Sequence, residues 1–211
     1  MTPPRDPETT ALDPTALGAA LERVARERRA TEALAARDGA GRALRVGDRA
    51  PCFALASESG AVLRSDVALA RGPLAISFYR GLWCVGCEAE LTTLQAALPA
   101  IEAHGATLIA VSPQSAADSR RSKRQAGAAF DVLSDHRDAL ARRFGLVHRL
   151  PDATPDVERA PGDDERTLAM PARFVVAPDG RIAHAEVHAD HAHRPGPEAL
   201  IGALARLSPT A

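Results

Sequence analysis

Cys84 and Cys87 stand two residues apart in "SFYRGLWCVGCEAEL" (77–91), where an apolar run gives way to a helical pattern. Two thiols one turn apart can share a metal, form an inert pair, or cycle between dithiol and disulfide. The spacing and the place in the chain favour the redox cycle. At a helix N-terminus the unpaired backbone N–H groups and the dipole stabilise a thiolate, and thiols in CxxC sites fall from about 8.5 to roughly 3.5–7.5. A disulfide across one turn leaves the rest of the chain unconstrained, so it can form and break without unfolding. Trp83, directly before Cys84, would supply an apolar shelf beside a reactive sulfur.

Zinc is the main competitor. A structural zinc takes four ligands, often from two such pairs, but the only other cysteine, Cys52, has no partner at that spacing. Neither a metal nor a cofactor is assigned. Cys52, beside Phe53, reads as a small buried residue, with an additional resolving thiol as the alternative. His184, His188, His191 and His193, with Asp190 among them, invite a metal reading. Positions 184 and 188 share a strand face, while "HADHAHR" is loop-like and fixes no geometry, so a solvated loop is the simpler reading. The "RRSKR" run at 120–124 reads as an exposed helix face, and Asp135 as the N-cap of "HRDALARRF".

Composition narrows the function classes. A chain of 211 residues, 45% hydrophobic and 25% charged, suits a soluble globular protein with a real core. Basic and acidic residues nearly cancel, 26 against 27, which argues against a broad surface for nucleic acid or anionic membrane. No stretch approaches the roughly 18 apolar residues of a membrane span. "MTPPRDPETTALDPTALG" has no apolar core of a secretory signal, so a cytoplasmic location is expected. In a reducing compartment, three cysteines are not a disulfide framework.

The elements that must position the thiols follow from periodicity. Residues 1–12 read as a disordered lead. Asp13-Pro14 then opens a helix with an apolar stripe at Leu17, Leu21, Val24 and Leu34, ending near Gly39 and Gly41. This helical extension, residues 1–43, packs against the main domain (44–211) or against a second copy. "GPLAISFY" is a buried strand, and Leu91, Leu94, Leu98 and Ile101 share the inner face of the next helix. Pro99 should kink or break that helix. "ATLIAVSP" and "FDVLSD" are further strands, "SAADSRRSKRQAGAA" and "HRDALARRFG" helices, and 151–170 an irregular stretch. "ARFVVAPDGRIAHAEV" is a hairpin turning at Pro178-Asp179-Gly180, and a helix over 197–207 closes the chain. The order predicts an α/β protein, a central mixed sheet with helices on both faces. A strand running into CxxC at a helix start, with a late hairpin and a final helix, is the thioredoxin-like arrangement.

"VGDRAPCFAL", "SFYRGLWCVGCEAEL", "LIAVSPQS", "FDVLSDHRDALARRFGL" and "MPARFVVAPDGRI" follow one another as in a known family. Over about residues 44–207 the chain resembles the peroxiredoxins in the broad sense, the alkyl hydroperoxide reductase and thiol-specific antioxidant proteins. It is most similar to their CxxC-containing, peroxiredoxin-like branch. The family motif Pro-x-x-x-Thr-x-x-Cys would place the peroxidatic cysteine at Cys87, its threonine at Cys84 and its proline at Arg80. The family arginine before the "FVV" strand has Pro171 near its place and Arg173 two residues later, so Arg80 or Arg173 could substitute as the polarising group. Thioredoxins align the other way, with Cys84 attacking, Cys87 resolving, and Pro171 near their cis-proline.

Two catalytic readings and one bland one remain open. In the first, Cys87 attacks a hydroperoxide, becomes a sulfenic acid and is resolved by Cys84; an external thiol, thioredoxin-like or of low molecular weight, then reduces the disulfide. In the second, Cys84 attacks a protein disulfide and Cys87 resolves it. The first cysteine of a helix-opening CxxC is usually the accessible one, which favours the second. The third reading is a redox sensor or binding module on the same fold. The N-terminal helix and family habit are compatible with a homodimer.

Overall fold

The computed structural model describes residues 42–149, 167–187 and 196–207, with scattered helical positions (Thr15, Gly18, Ala19, Leu21, Glu22, Ala25, Arg29) before them. The strands are β1 (Ala54–Ala56), β2 (Val62–Arg64), β3 (Leu74–Phe78), β4 (Thr107–Ser112), β5 (Asp131–Ser134), β6 (Val147–Arg149), β7 (Thr167–Ala169), β8 (Ala172–Val176) and β9 (Ile182–Val187). The helices are α1 (Ser65–Leu69), α2 (Val85–Glu102), α3 (Ala116–Ala126), α4 (Ala139–Arg143) and α5 (Glu198–Leu207). Five strands form the central sheet in the order β5-β4-β3-β8-β9. β3 pairs parallel with β4 and β4 with β5, while β8 runs antiparallel to both β3 and β9, so the sheet is mixed.

The sheet separates two apolar cores. β3 is buried at every position, as a central strand covered on both faces must be. Alternation sends Ala75 toward α2, α3 and α5, where Leu91, Leu94, Ile101, Leu200 and Leu204 pack. Leu74, Ile76 and Phe78 point to the other face, against α1 and α4. Phe78, Phe144 and Phe174 form an aromatic trio there, with centroids 4.9–6.1 Å apart. Despite the scarcity of aromatics, one face concentrates three of them.

The expected stripe Leu91, Leu94, Leu98 and Ile101 is the buried face of α2. The expected break at Pro99 does not occur: α2 continues through Pro99 to Glu102. Only three residues follow the proline, and the burial of Leu98 and Ile101 holds the last turn in place. α3 starts at Ser115, whose Oγ accepts the Asp118 N–H at 3.2 Å, and ends on Gly127 at φ 61°. The helix expected over 136–145 is shorter. His136–Asp138 form a 3-10 turn in which Arg137 and Asp138 take φ of 57° and 55°. Asp135 caps α4 across that turn, accepting the N–H groups of Leu140 and Ala141 at 2.8 and 2.9 Å.

Part of the stretch read as irregular is ordered: Thr167–Ala169 form β7 and pair with β6. Residues 151–166 lie outside the described ones, as does the lead over 1–12. The hairpin β8–β9 turns as expected, with Gly180 at φ 82° and Asp179 accepting the Arg181 N–H at 2.9 Å. Leu21 of the expected apolar stripe is 62% exposed, while Leu17, Val24 and Leu34 lie outside the described residues. Among the described residues no helix is long and apolar enough to cross a membrane.

Leu94 is fully buried at the centre of α2. Leu94→Ala should cost about 2–5 kcal/mol in urea unfolding; a loss under about 1 kcal/mol would mean that α2 does not carry the core as described.

Candidate active site

β3 ends at Phe78, and six residues later Cys84 is the N-cap of α2, in extended conformation at φ −95° and ψ 113°. Between them Gly81 takes φ 129°. A side chain there would meet the Trp83 indole at 2.6 Å and Gln114 Oε1 at 3.0 Å, so the indole lies directly on the glycine backbone. The Cys84 N–H donates to the Gly81 carbonyl at 3.1 Å, and the Cys87 N–H to the Cys84 carbonyl at 3.0 Å. These bonds fix the turn that carries both thiols.

Cys84 and Cys87 are 2% and 1% exposed, and neither is in a disulfide. The expectation that the first cysteine is the accessible one is not met, because both sulfurs belong to the apolar cluster that includes Leu91 and Leu94. Both line a cavity of about 200 Å³, together with Tyr79, Gly81, Leu82, Glu88, Leu91, Ser122 and Gln125. Neither Trp83, Pro171, Arg80 nor Arg173 is part of that lining.

Three polar side chains form one network behind the thiols. The Leu82 N–H donates to Gln114 Oε1 at 3.1 Å, while Gln114 Nε2 donates to Tyr79 Oη at 2.6 Å and to Ser122 Oγ at 2.9 Å. Burial raises the tyrosine pKa well above its ordinary 10, and the charge of a Cys87 thiolate raises it further, against hydrogen bonds from Ser122 and Ser112 that lower it. Tyr79 is therefore a neutral phenol close to Cys87.

Arg173 is engaged elsewhere. Its Nε and Nη2 donate to Glu90 Oε1 and Oε2 at 2.7 and 2.6 Å, and Nη1 donates to the Gly196 carbonyl at 3.0 Å. Glu90 Oε1 also accepts from Ser77 Oγ at 3.2 Å, and Glu186 Oε2 lies 3.6 Å from the guanidinium. The strand register explains the row: Ser77 on β3 faces Arg173 on β8, which faces Glu186 on β9, all on the side of the sheet that α2 covers. Arg80 is also buried, and its Nε donates to the Ala169 carbonyl at 3.2 Å. Pro171 is buried at the entry to β8, with a trans peptide bond.

Cys52 is exposed, contrary to the buried reading. It precedes β1 on the rim of the domain, where its carbonyl accepts from Arg143 Nη1 at 2.8 Å. His184 Nε2 lies 3.7 Å from Glu186 Oε2; His188, Asp190, His191 and His193 lie outside the described residues. The "RRSKR" run is only partly a solvated face. Arg120, Arg121 and Arg124 are exposed, Ser122 turns inward to the cavity, and Lys123 pairs with the buried Glu58 at 2.7 Å.

The AhpC/TSA family model matches residues 46–185, which include both thiols, Gln114 and Arg173. The chain belongs to the AhpC/TSA family. It is accordingly a thiol-based oxidoreductase of the peroxidase type, whose reaction uses hydroperoxides and thiol reductants. Among solved structures it is similar to peroxidoxin BcpB of Mycobacterium tuberculosis, at TM-score 0.62 and 18% identity, over 78% of this chain and 98% of that one. Peroxiredoxin Q of Xanthomonas campestris matches at TM-score 0.61 and 22% identity, over 74% and 91%. A mutant of peroxiredoxin 6 of Arenicola marina matches at 0.62 and 19%, over 77% and 72%. These likenesses establish the thioredoxin-like peroxiredoxin fold. A search of curated protein sequences finds no match.

Sequence reasoning missed Tyr79, Gln114, Ser122 and Glu90. Tyr79 and Gln114 lay inside quoted family segments, but only the tertiary pairing of β3 with β4 brings them to one hydroxyl network. Ser122 was hidden in a basic run, although its spacing from Ser119 and Ala126, three and four residues away on one helix face, was a usable signal. Glu90 had one as well, since a carboxylate among buried leucines needs a cation.

Removing one partner of a buried ion pair leaves the other charge uncompensated. Glu90→Gln should destabilise the fold by about 3–5 kcal/mol in chemical denaturation. A loss under about 1 kcal/mol would show that Glu186 alone balances Arg173.

Proposed function

We propose that the chain is a peroxidase in which Cys87 attacks the substrate and Cys84 resolves it. The Cys87 thiolate attacks the terminal oxygen of a hydroperoxide, the O–O bond breaks, and an alkoxide leaves to take a proton from water. Cys87 is then a sulfenic acid. The Cys84 sulfur displaces its hydroxyl as water, giving the Cys84–Cys87 disulfide, and two equivalents of an external thiol restore the dithiol.

One observation carries this reading: both sulfurs are almost fully buried yet line the same cavity of about 200 Å³. A hydroperoxide group fits such a space. A disulfide held in another protein must bring its own sulfur in line with the attacking thiol, and Cys84, 2% exposed, offers no such approach. The same access favours a low-molecular-weight thiol as reductant over a thioredoxin-like protein. We place the enzyme in a reducing compartment, the cytoplasm, where Cys84 and Cys87 would be kept as thiols between turnovers. A homodimer would give the exposed Leu21 a partner. The domain division is the one read from the sequence, a helical extension over 1–43 and the catalytic domain over 44–211.

Separate Cys84→Ser and Cys87→Ser variants test the assignment. Cys84→Ser should form a sulfenic acid with hydrogen peroxide as fast as the parent protein, within about threefold, and stop there; Cys87→Ser should lose the reaction. The assignment is wrong if Cys87→Ser keeps its peroxide reactivity, or if it accumulates mixed disulfides with protein partners.

A further inference from the structure

Gln114 sets the direction of the hydrogen bonds beside the thiols. The Leu82 N–H can only donate, so the side-chain atom facing it at 3.1 Å is the amide oxygen. That leaves both protons of Nε2 for Tyr79 Oη and Ser122 Oγ, at 2.6 and 2.9 Å. Both hydroxyl oxygens therefore accept from the amide; Ser122 and Ser112 also hydrogen-bond to the phenol as donors, which leaves Tyr79 its own proton to donate. Tyr79 and Ser122 both line the cavity that holds Cys84 and Cys87. The guanidinium of Arg173 is spent on Glu90, and Arg80 Nε on the Ala169 carbonyl. The hydroxyl that the resemblance expects at position 84 is a sulfur here.

We infer that the Tyr79 phenol, oriented by Gln114, donates the hydrogen bond that polarises the bound hydroperoxide during attack by Cys87. This rests on the peroxidase reading. Negative charge develops on the departing oxygen as the O–O bond lengthens, and a preorganised donor in a water-poor cavity stabilises it. The phenol keeps its proton; the alkoxide is protonated by water at the cavity mouth. Gln114 is a positioning residue, because it acts only through the orientation of the hydroxyls.

Tyr79 and Trp83 are the only tyrosine and the only tryptophan in the chain, which makes the test clean. Oxidation of Cys87 by hydrogen peroxide can be followed by Trp83 fluorescence, alongside alkylation of the same thiol by iodoacetamide. Tyr79→Phe should slow the peroxide reaction about a hundredfold and change the alkylation rate less than threefold. Should both rates fall together, Tyr79 merely shapes the site or holds the thiolate, and the inference fails. It also fails if the peroxide rate is unchanged. Biosynthetic replacement of tyrosine by 3-fluorotyrosine modifies position 79 alone, keeps the hydroxyl, and decides the matter even if Tyr79→Phe does not fold. The more acidic phenol should speed peroxide oxidation severalfold without affecting alkylation, and an unchanged ratio of the two rates would overturn the proposal. A parent protein that does not react with peroxide at all would instead sink the peroxidase reading.

Discussion

The buried pair of Glu90 and Arg173 is the constraint around which the site is organised. Both groups are more than nine-tenths buried, and ions removed from water at this depth persist only with close partners. Arg173 is held by the register of β8 against β3, and Glu90 sits one turn after Cys87 on α2. The bidentate contact therefore ties the helix that carries the thiols to the middle of the sheet. Sliding α2 along the sheet, or rotating it, would strand a carboxylate in the core. The apolar face of α2 supplies attraction without direction; the ion pair supplies the direction.

A second layer of orientation begins from a backbone group. The N–H of Leu82, freed by the loop between β3 and α2, needs an acceptor, and Gln114 at the end of β4 provides it. That single bond fixes which end of the amide faces Tyr79 and Ser122, so that both buried hydroxyl oxygens accept from it. Gly81 makes the arrangement possible, since any side chain there would collide with Trp83 and Gln114. The chain thus sets two hydroxyls in the same cavity as a pair of sulfurs without placing a threonine in the CxxC turn.

The legible parts of the sequence were those with a short-range physical cause. The buried strand 74–78, the inner face of α2, the Pro178-Asp179-Gly180 hairpin and the helix-opening thiols all follow from spacing within a dozen residues. The helix does not break at Pro99 because the local penalty is outweighed by the burial of Leu98 and Ile101. Cys52 misled because its apolar neighbour Phe53 suggested burial, whereas the rim before β1 leaves the thiol exposed. The roles open to the arginines were not legible, because a guanidinium near a site in the chain can be committed to a carboxylate from a distant element.

By itself the sequence determined a redox dithiol at the start of a helix, in an α/β domain built on a mixed sheet, because those features arise from residue type and local periodicity. Only the tertiary structure decided how the thiols can be reached and which polar groups surround them. Burial of both sulfurs, the capture of Arg173 by Glu90, and the meeting of Tyr79 with Gln114 and Ser122 each depend on strand register and helix packing. These contacts join residues 8 to 83 positions apart in the chain, a range over which no local pattern carries information.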